Sequence, residues 1–315
     1  MATTVLVGEA TGASSLPERW TRMTVPLPDA AANGQLAAIG CWSPTGCIIG
    51  GIRGANAATF TGTTMNGGRS WFFTSRFPAP LAGGVASIAC DRSGCFMVGE
   101  NLAEDADALG FTRNQGRSWS IVPLPQQWIS EAITPGFIGC TTSTCLVYGN
   151  NIFAMSGKNP SNYRVALVST SDDGRSWSPA ALPGGSGDLD AIACIGAGRC
   201  WALYRSAQPQ EGVAVSIDGG RTWTTVGVIG NAFDPDHFGG FGCATRTSCY
   251  LVDDSNDLFV THNGGQEWSP TNPPRNRHGS TDLETDGLAC ASESATCYIV
   301  GIAPPTSLWK SQLAS

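Results

Sequence analysis

Thr64-Met-Asn-Gly-Gly-Arg-Ser-Trp71 returns four more times along the chain, as Thr112-Arg-Asn-Gln-Gly-Arg-Ser-Trp119, Ser171-Asp-Asp-Gly-Arg-Ser-Trp177, Ser216-Ile-Asp-Gly-Gly-Arg-Thr-Trp223 and Thr261-His-Asn-Gly-Gly-Gln-Glu-Trp268. From Trp71 onward the tryptophans are spaced by 48, 58, 46 and 45 residues, the range in which four-stranded β-propeller blades repeat. The chemistry of the segment is that of a tight turn between strands. Its Asn or Asp accepts hydrogen bonds from nearby backbone N–H groups, glycine supplies positive φ, and the tryptophan packs between neighbouring units. One octapeptide therefore marks one blade.

Cysteines set the register of each unit. The twelve fall into the pairs Cys41/Cys47, Cys90/Cys95, Cys140/Cys145, Cys194/Cys200, Cys243/Cys249 and Cys290/Cys297, with four to six residues between partners. A zinc site would use a Cys-x2-Cys spacing with a second pair or histidines nearby, and the chain has only 3 His. Two strands joined by a short loop bring their flanking Cβ atoms within disulfide reach, so six disulfides are predicted. Each unit then reads as strand A ending at the first Cys, strand B beginning at the second, strand C, the octapeptide, and strand D starting at Trp.

Six pairs predict six blades, and five octapeptides account for five C–D turns. The sixth unit ends in Ser307-Leu-Trp-Lys310 with nothing after it to serve as strand D. Glu18-Arg-Trp-Thr-Arg-Met-Thr-Val-Pro26 mimics the segment that follows each octapeptide, such as Ser118-Trp-Ser-Ile-Val-Pro-Leu-Pro125. The prediction is one all-β domain over residues 1–315: a six-bladed propeller with one disulfide per blade. Residues 1–17 form a tail, and residues 18–26 supply the strand that closes the last blade and removes its exposed edge.

Composition narrows the partners. The 315 residues carry 18 Lys+Arg against 25 Asp+Glu, a net charge of −7, with 14% charged residues, 40 Gly and 19 Pro. Such a chain is turn-rich and folded. It has no apolar run of about 20 residues to span a membrane and no basic cluster to hold nucleic acid or an anionic lipid surface. Paired cysteines place it in an oxidising compartment. Met1–Ser15 lacks the basic region and apolar core of a signal peptide, so the chain reads as a mature secreted protein, expected to be a monomer.

The octapeptide resembles the Asp-box, or BNR repeat, of sialidases, sortilin-type receptors and xyloglucan-degrading hydrolases. The resemblance covers nearly the whole chain and implies a propeller in which the box is a structural turn away from the ligand face. Sialidase chemistry itself is not expected. The Arg-Ile-Pro that such enzymes carry before their first box is absent, Arg53 sits in a different context, only Arg205 suits a carboxylate clamp, and no Tyr follows Tyr298.

Propeller ligands bind at the mouth formed by the D–A and B–C loops, opposite the disulfides, and the cysteines let equivalent positions there be compared. Four residues after the second Cys stand Gly51, Gly99, Gly149, Tyr204, Asp253 and Gly301; one further on are Ile52, Glu100, Asn150, Arg205, Asp254 and Ile302. Four residues before the first Cys stand Ala37, Ala86, Gly136, Asp190, Gly239 and Asp286. Polarity concentrates in blades four to six. The D–A connections add His237, Arg277 and His278, and the long connections 124–135 and 150–164 carry Trp128, Glu131 and Asn150.

The expected catalytic residues are therefore Asp253, Asp190, Asp286, His237, His278 and Tyr204, with Arg205, Glu100, Asp254, Trp128, Arg277 and Asn150 binding substrate. No nucleophile elbow, phosphate loop or metal-binding helix occurs. Asp253-Asp-Ser-Asn-Asp257 looks like a fragment of a calcium loop but lacks its closing Glu, so neither cofactor nor metal is expected. The leading expectation is a secreted carbohydrate-active protein acting on an oligosaccharide. Paired carboxylates such as Asp190 with Asp253 or Asp286 serve hydrolysis, whereas a His or Tyr base with an Arg serves β-elimination. The alternatives are a non-catalytic propeller that binds a glycan or protein, and an enzyme acting on another small molecule. Mouth residues that differ in every blade favour one central site over a multivalent lectin.

Overall fold

A computed structural model of the chain describes residues 19–28, 34–53, 58–101, 106–151, 163–185, 188–205, 211–229, 238–253, 257–274, 285–294, 296–301 and 307–312. Blade 1 is β2 (Gln35–Cys41), β3 (Cys47–Arg53), β4 (Ala58–Thr64) and β5 (Phe72–Thr74), and blade 2 is β6 (Val85–Cys90), β7 (Cys95–Asn101), β8 (Ala106–Thr112) and β9 (Ser120–Ile121). Blade 3 is β10 (Thr134–Cys140), β11 (Cys145–Asn150), β12 (Val165–Thr170) and β13 (Ser178–Pro179); blade 4 is β14 (Leu189–Ile195), β15 (Arg199–Arg205), β16 (Glu211–Ser216) and β17 (Thr224–Val228). Blade 5 is β18 (Phe238–Cys243), β19 (Cys249–Asp253), β20 (Leu258–Thr261) and β21 (Ser269–Thr271). Blade 6 takes β22 (Thr285–Cys290), β23 (Cys297–Gly301) and β24 (Ser307–Gln312) from the end of the chain and β1 (Arg19–Thr24) from its start.

Closure follows the expected path. β1 lies antiparallel on β24, with Trp20 opposite Ser311 and Met23 opposite Leu308. Trp20 meets the Tyr250 ring of blade 5 edge-on at 6.2 Å between centroids, and Met23 packs in a cluster with Leu308 and Phe60. Both chain ends thus share one sheet and one core.

Sequence pattern explains the layering within a blade. The second strands, such as Cys47–Gly51 and Cys200–Tyr204, are buried throughout, because each is flanked by two strands of its own sheet and sandwiched between neighbouring blades. They accordingly read as apolar runs rather than alternating patterns. The outermost strands are only two to six residues long, which limits the free edge they present to solvent. All six disulfides form, one per blade, between residues directly opposite in register at the A–B end.

The five octapeptides adopt one turn. In each, the Asn or Asp side chain accepts the backbone N–H four residues ahead at 2.9–3.0 Å. The Thr or Ser hydroxyl two residues before it accepts a glycine N–H at 2.8–3.0 Å. This geometry corrects the start of the third copy: the hydroxyl in that role belongs to Thr170, not Ser171. The tryptophans tie blades together, Trp177 donating to the Pro123 carbonyl and Trp223 to that of Ala181, each in the preceding blade. The connection 124–135, expected to be a loop, holds a short helix, α1 (Gln126–Glu131), pinned by the buried Trp128.

Between blades the innermost strands fit by alternation. The residue before the first Cys is Gly40, Ala89, Gly139, Ala193, Gly242 and Ala289 in turn. A Cβ on Gly139 would stand 2.5 Å from Ile192 of the next blade, and one on Gly242 would stand 2.5 Å from Leu288. Odd blades therefore use glycine to receive an aliphatic side chain from the even blade that follows.

Candidate functional site in the central channel

Contiguous residues of every innermost strand, such as Ala37–Cys41 and Asp190–Cys194, line a central cavity of about 440 Å³. A strand that showed the cavity one face would line it with alternate residues, so these strands meet it edge-on. Each lies at the end of its sheet, and its unpaired row of N–H and C=O groups faces the channel. Around the mouth, each innermost strand carries a register shift, and the extra residue is Ala37, Ala86, Gly136, Asp190, Gly239 or Asp286. Counting four residues back from the first Cys had thus picked out a ring of β-bulges. Bulges re-aim side chains and recur beside active sites.

Among the described residues the charge at this mouth gathers on blade 4. Asp190 lies on the bulge of β14, Arg205 ends β15, and Glu211 begins β16 directly opposite Arg205. Arg205 Nε donates to Asp190 Oδ1 at 3.3 Å, with the arginine side chain 47% and the aspartate 13% exposed. Glu211, 3% exposed, is in hydrogen-bond contact with the Asp190 carboxyl. Asp190 Oδ2 is buried without a hydrogen-bond partner among the described residues. Burial raises the Asp190 pKa above its ordinary value, and the Arg205 guanidinium and the hydrogen bond from Glu211 offset this only in part. Two acids in contact and withdrawn from water favour sharing a proton over both ionising.

A second array stands two residues upstream. Asp188 Oδ1 accepts the hydroxyls of Tyr148, at 3.3 Å, and Tyr163. Burial, reinforced by the Asp188 charge, pushes the Tyr148 phenol up to about 12, and burial with the hydrogen bond to Asp188 raises Tyr163 as well. The Arg205 N–H donates to the Asp188 carbonyl at 2.9 Å, which joins this array to the Asp190 cluster. Asn151, 6% exposed, accepts the Arg164 N–H at 2.8 Å and closes the base of the blade 3 B–C connection.

The other expected residues are placed as follows. Asp253 is 2% exposed, and its Oδ1 accepts the Asp257 N–H at 2.8 Å across its own turn. Tyr204 is buried, its hydroxyl 2.9 Å from Thr225 Oγ1 on the outermost strand of blade 4, so its polar end points away from the channel. Trp128 is 1% exposed inside a cluster with Phe96 and Val147. Glu100 is exposed at the end of β7, and Asn150 ends β11. Asp286 occupies the bulge of β22. His237, His278, Asp254 and Arg277 lie outside the described residues. Among the described residues no group of three or more His, Cys, Asp or Glu side chains is placed to hold a metal, and no helix is long and apolar enough to cross a membrane.

Glu211, Asp188, Tyr148 and Tyr163 are not among the residues expected from the sequence, which came from fixed counts from the cysteines and from the D–A and long connections. Counting five residues back from the first residue of each turn gives Thr59, Asp107, Val165, Glu211 and Asn256, a comparison that exposes the acid at the start of β16.

Fold and site together define a six-bladed β-propeller with one asymmetric central mouth. No protein-family model matches the chain, and no curated protein does. Its fold is similar to that of a protein of unknown function from Dyadobacter fermentans, with 12% identity over 97% of this chain and 100% of that one and a TM-score of 0.58. A Hadza microbial sialidase aligns at 12% identity over 90% of this chain and 66% of its own, TM-score 0.59. The fucose-specific lectin of Aleuria aurantia aligns at 14% over 88% and 91%, TM-score 0.58. At these identities the likeness is one of fold.

Proposed function

We propose that this chain is a secreted carbohydrate-active propeller, monomeric, that hydrolyses a glycosidic bond of an oligosaccharide at its central mouth with Asp190 as proton donor. The observation that carries the reading is the Asp190 carboxyl itself: presented on a bulge at the cavity rim, withdrawn from water, raised in pKa, and touched by Arg205 and Glu211. A carboxylic acid kept protonated by burial is the form a general acid needs. Paired carboxyls in glycosidases stand about 5–5.5 Å or 6.5–9.5 Å apart across the bond they cleave. Glu211, hydrogen-bonded to Asp190 within the same blade, does not stand across a cleaved bond from it and is given a positioning part. The second catalytic residue in this proposal is Asp286, whose backbone occupies the corresponding bulge of β22.

Elimination has less support, because Tyr148 and Tyr163 are held protonated beside Asp188 and Tyr204 is bonded to Thr225. Secretion is supported by the six disulfides, and kinship with Asp-box proteins by five turns with one hydrogen-bond pattern. Sialidases and a fucose lectin among proteins of similar fold are consistent with a sugar ligand. A second reading, binding without turnover, is favoured by the Asp190–Glu211 contact, which also suits a clamp on sugar hydroxyls.

Incubation with a panel of neutral, amino and acidic glycans, monitored for new reducing ends and by calorimetry, separates the two. Hydrolysis predicts turnover that Asp190→Asn abolishes while binding persists. Binding without turnover selects the second reading, and a panel with neither refutes both. Full activity of Asp253→Ala removes that residue from the mechanism.

A further inference from the structure

Lining residues of the central cavity run from the bulges of the mouth, such as Ala37 and Asp190, to the first cysteine of every blade. Four steps of about 3.3 Å along an innermost strand make a wall about 13 Å deep. At the disulfide end this well is bridged. Gly196, in the A–B turn of blade 4, donates its N–H to Ser292 Oγ in blade 6 at 2.8 Å, and its carbonyl accepts the Thr142 N–H of blade 3 at 2.7 Å. Blades 4 and 6 are not neighbours, so the bridge spans the end of the ring rather than a seam between adjacent blades. The residue after the first cysteine is buried in blades 3 to 6, as Thr141, Ile195, Ala244 and Ala291, which withdraws this end from water. The well is therefore entered from the mouth, and a polymer does not thread it.

The walls carry no charge below the rim. Among the described lining residues only Asp190 and Arg205 are charged; Asp190 lies on the bulge of β14 and Arg205 ends β15, both at the mouth. Deeper in, each blade offers the free edge of its innermost strand, and the side chains between the edges are small or apolar, such as Ala89, Ile88, Ile138, Ile192 and Leu288. Edge N–H and C=O groups take neutral donors and acceptors alike, so hydroxyls and amides exchange water for backbone partners. A carboxylate or ammonium carried below the rim leaves its hydration behind and meets no counter-charge among the described residues, which is costly for either sign. The volume of about 440 Å³ falls toward the low end of the ~300–1,000 Å³ of small-molecule sites, room for a chain end. We propose that the channel is a blind pocket for an uncharged chain end of the glycan, with charged units admitted only outside the rim. This inference rests on the carbohydrate reading above and adds its substrate class, glycans that end in a neutral or N-acetylated residue.

Calorimetry on the full chain, with Asp190→Asn if the wild type turns ligand over, starts from hexasaccharides of glucose, galactose, mannose and N-acetylglucosamine. Each binder is compared with two derivatives in which the primary alcohol of one terminal residue, at the non-reducing or the reducing end, is oxidised to a carboxylate. The expected result is at least tenfold weaker binding when one end is charged and parental affinity when the other is. At the sensitive end an amine in place of the alcohol should fail like the carboxylate, and the uncharged amide of that carboxylate should restore binding. Ala86→Trp, at an exposed position on the rim, is expected to abolish binding of the neutral parent with an unchanged melting temperature, and Ala37→Phe provides a second blocked cavity. Tolerance of charge at both ends, equal loss from both, tolerance of the amine, failure of the amide, or full affinity in both blocked variants overturns the inference and leaves the carbohydrate reading standing. Binding of no glycan, here or in the broader panel, removes both.

Discussion

Asp190→Asn is expected to make the protein more stable at neutral and alkaline pH while removing its function. Folding raises the pKa of this carboxyl through burial, so between the unfolded and folded values the native state holds a proton that the unfolded chain has released. The stability linked to Asp190 is therefore complete below the unfolded pKa of about 3.9 and is lost as pH rises through the folded value. Each unit by which the pKa is raised corresponds to about 1.4 kcal/mol, while the buried Oδ2 position, which has no partner among the described residues, holds a polar atom in Asn as in Asp and drops out of the difference. Losing the ion pair with Arg205, whose side chain is 47% exposed, subtracts no more than about 1 kcal/mol. A net gain of about 1 kcal/mol for each unit by which the pKa is raised follows. In a chain of this size each such unit raises the melting temperature by roughly 2 °C. Thermal melts of both proteins between pH 3 and pH 8 should show a gap that opens as pH rises and vanishes near pH 4. A variant that melts lower than the parent at pH 8, or a gap independent of pH, would show that Asp190 is a satisfied structural anchor, and the site argument would fail with it.

Further outcomes test the architecture. Deleting residues 1–26 exposes the edge of β24 and uncovers Leu308 and Trp309; it should lower the melting temperature and promote association, seen by light scattering, more than replacing any single Cys pair. A loop as short as these contributes about 2 kcal/mol through its disulfide. Gly139→Ala drives a methyl against Ile192 and should cost about 1–3 kcal/mol in chemical denaturation, whereas Ala193→Gly at the equivalent place in the next blade costs less. Asp218 is held at about 2: burial opposes this, but the Thr222 hydroxyl and N–H outweigh it. Its stabilisation is thus present above the unfolded pKa and lost as pH falls toward 2, so Asp218→Ala should melt lower at pH 7 by about 1 kcal/mol, with the difference gone near pH 2.

Much of this molecule is legible in one dimension because a propeller repeats. Blade number, disulfide pairing and the closing strand all follow from local signals recurring at a fixed interval, and each blade is an up-and-down sheet whose contacts are near in sequence. The ring of bulges was also reachable, since a fixed count from a cysteine lands on the same place in every blade. The Gly/Ala alternation before the first cysteines lay equally open and calls only for comparison in pairs of blades.

What the tertiary structure alone decided is which polar groups meet. Asp190, Arg205 and Glu211 come from three strands, and their contact depends on the bulge that turns Asp190 toward its partners. Asp188 reaches Tyr163 only because the long connection of blade 3 returns beside blade 4. Trp128 and Tyr204 show the converse: both sit where a mouth residue belongs in the repeat, yet one seals a helix and the other spans its own sheet to Thr225. Side-chain direction and burial are set by neighbours from other blades, and a repeat count carries no information about them.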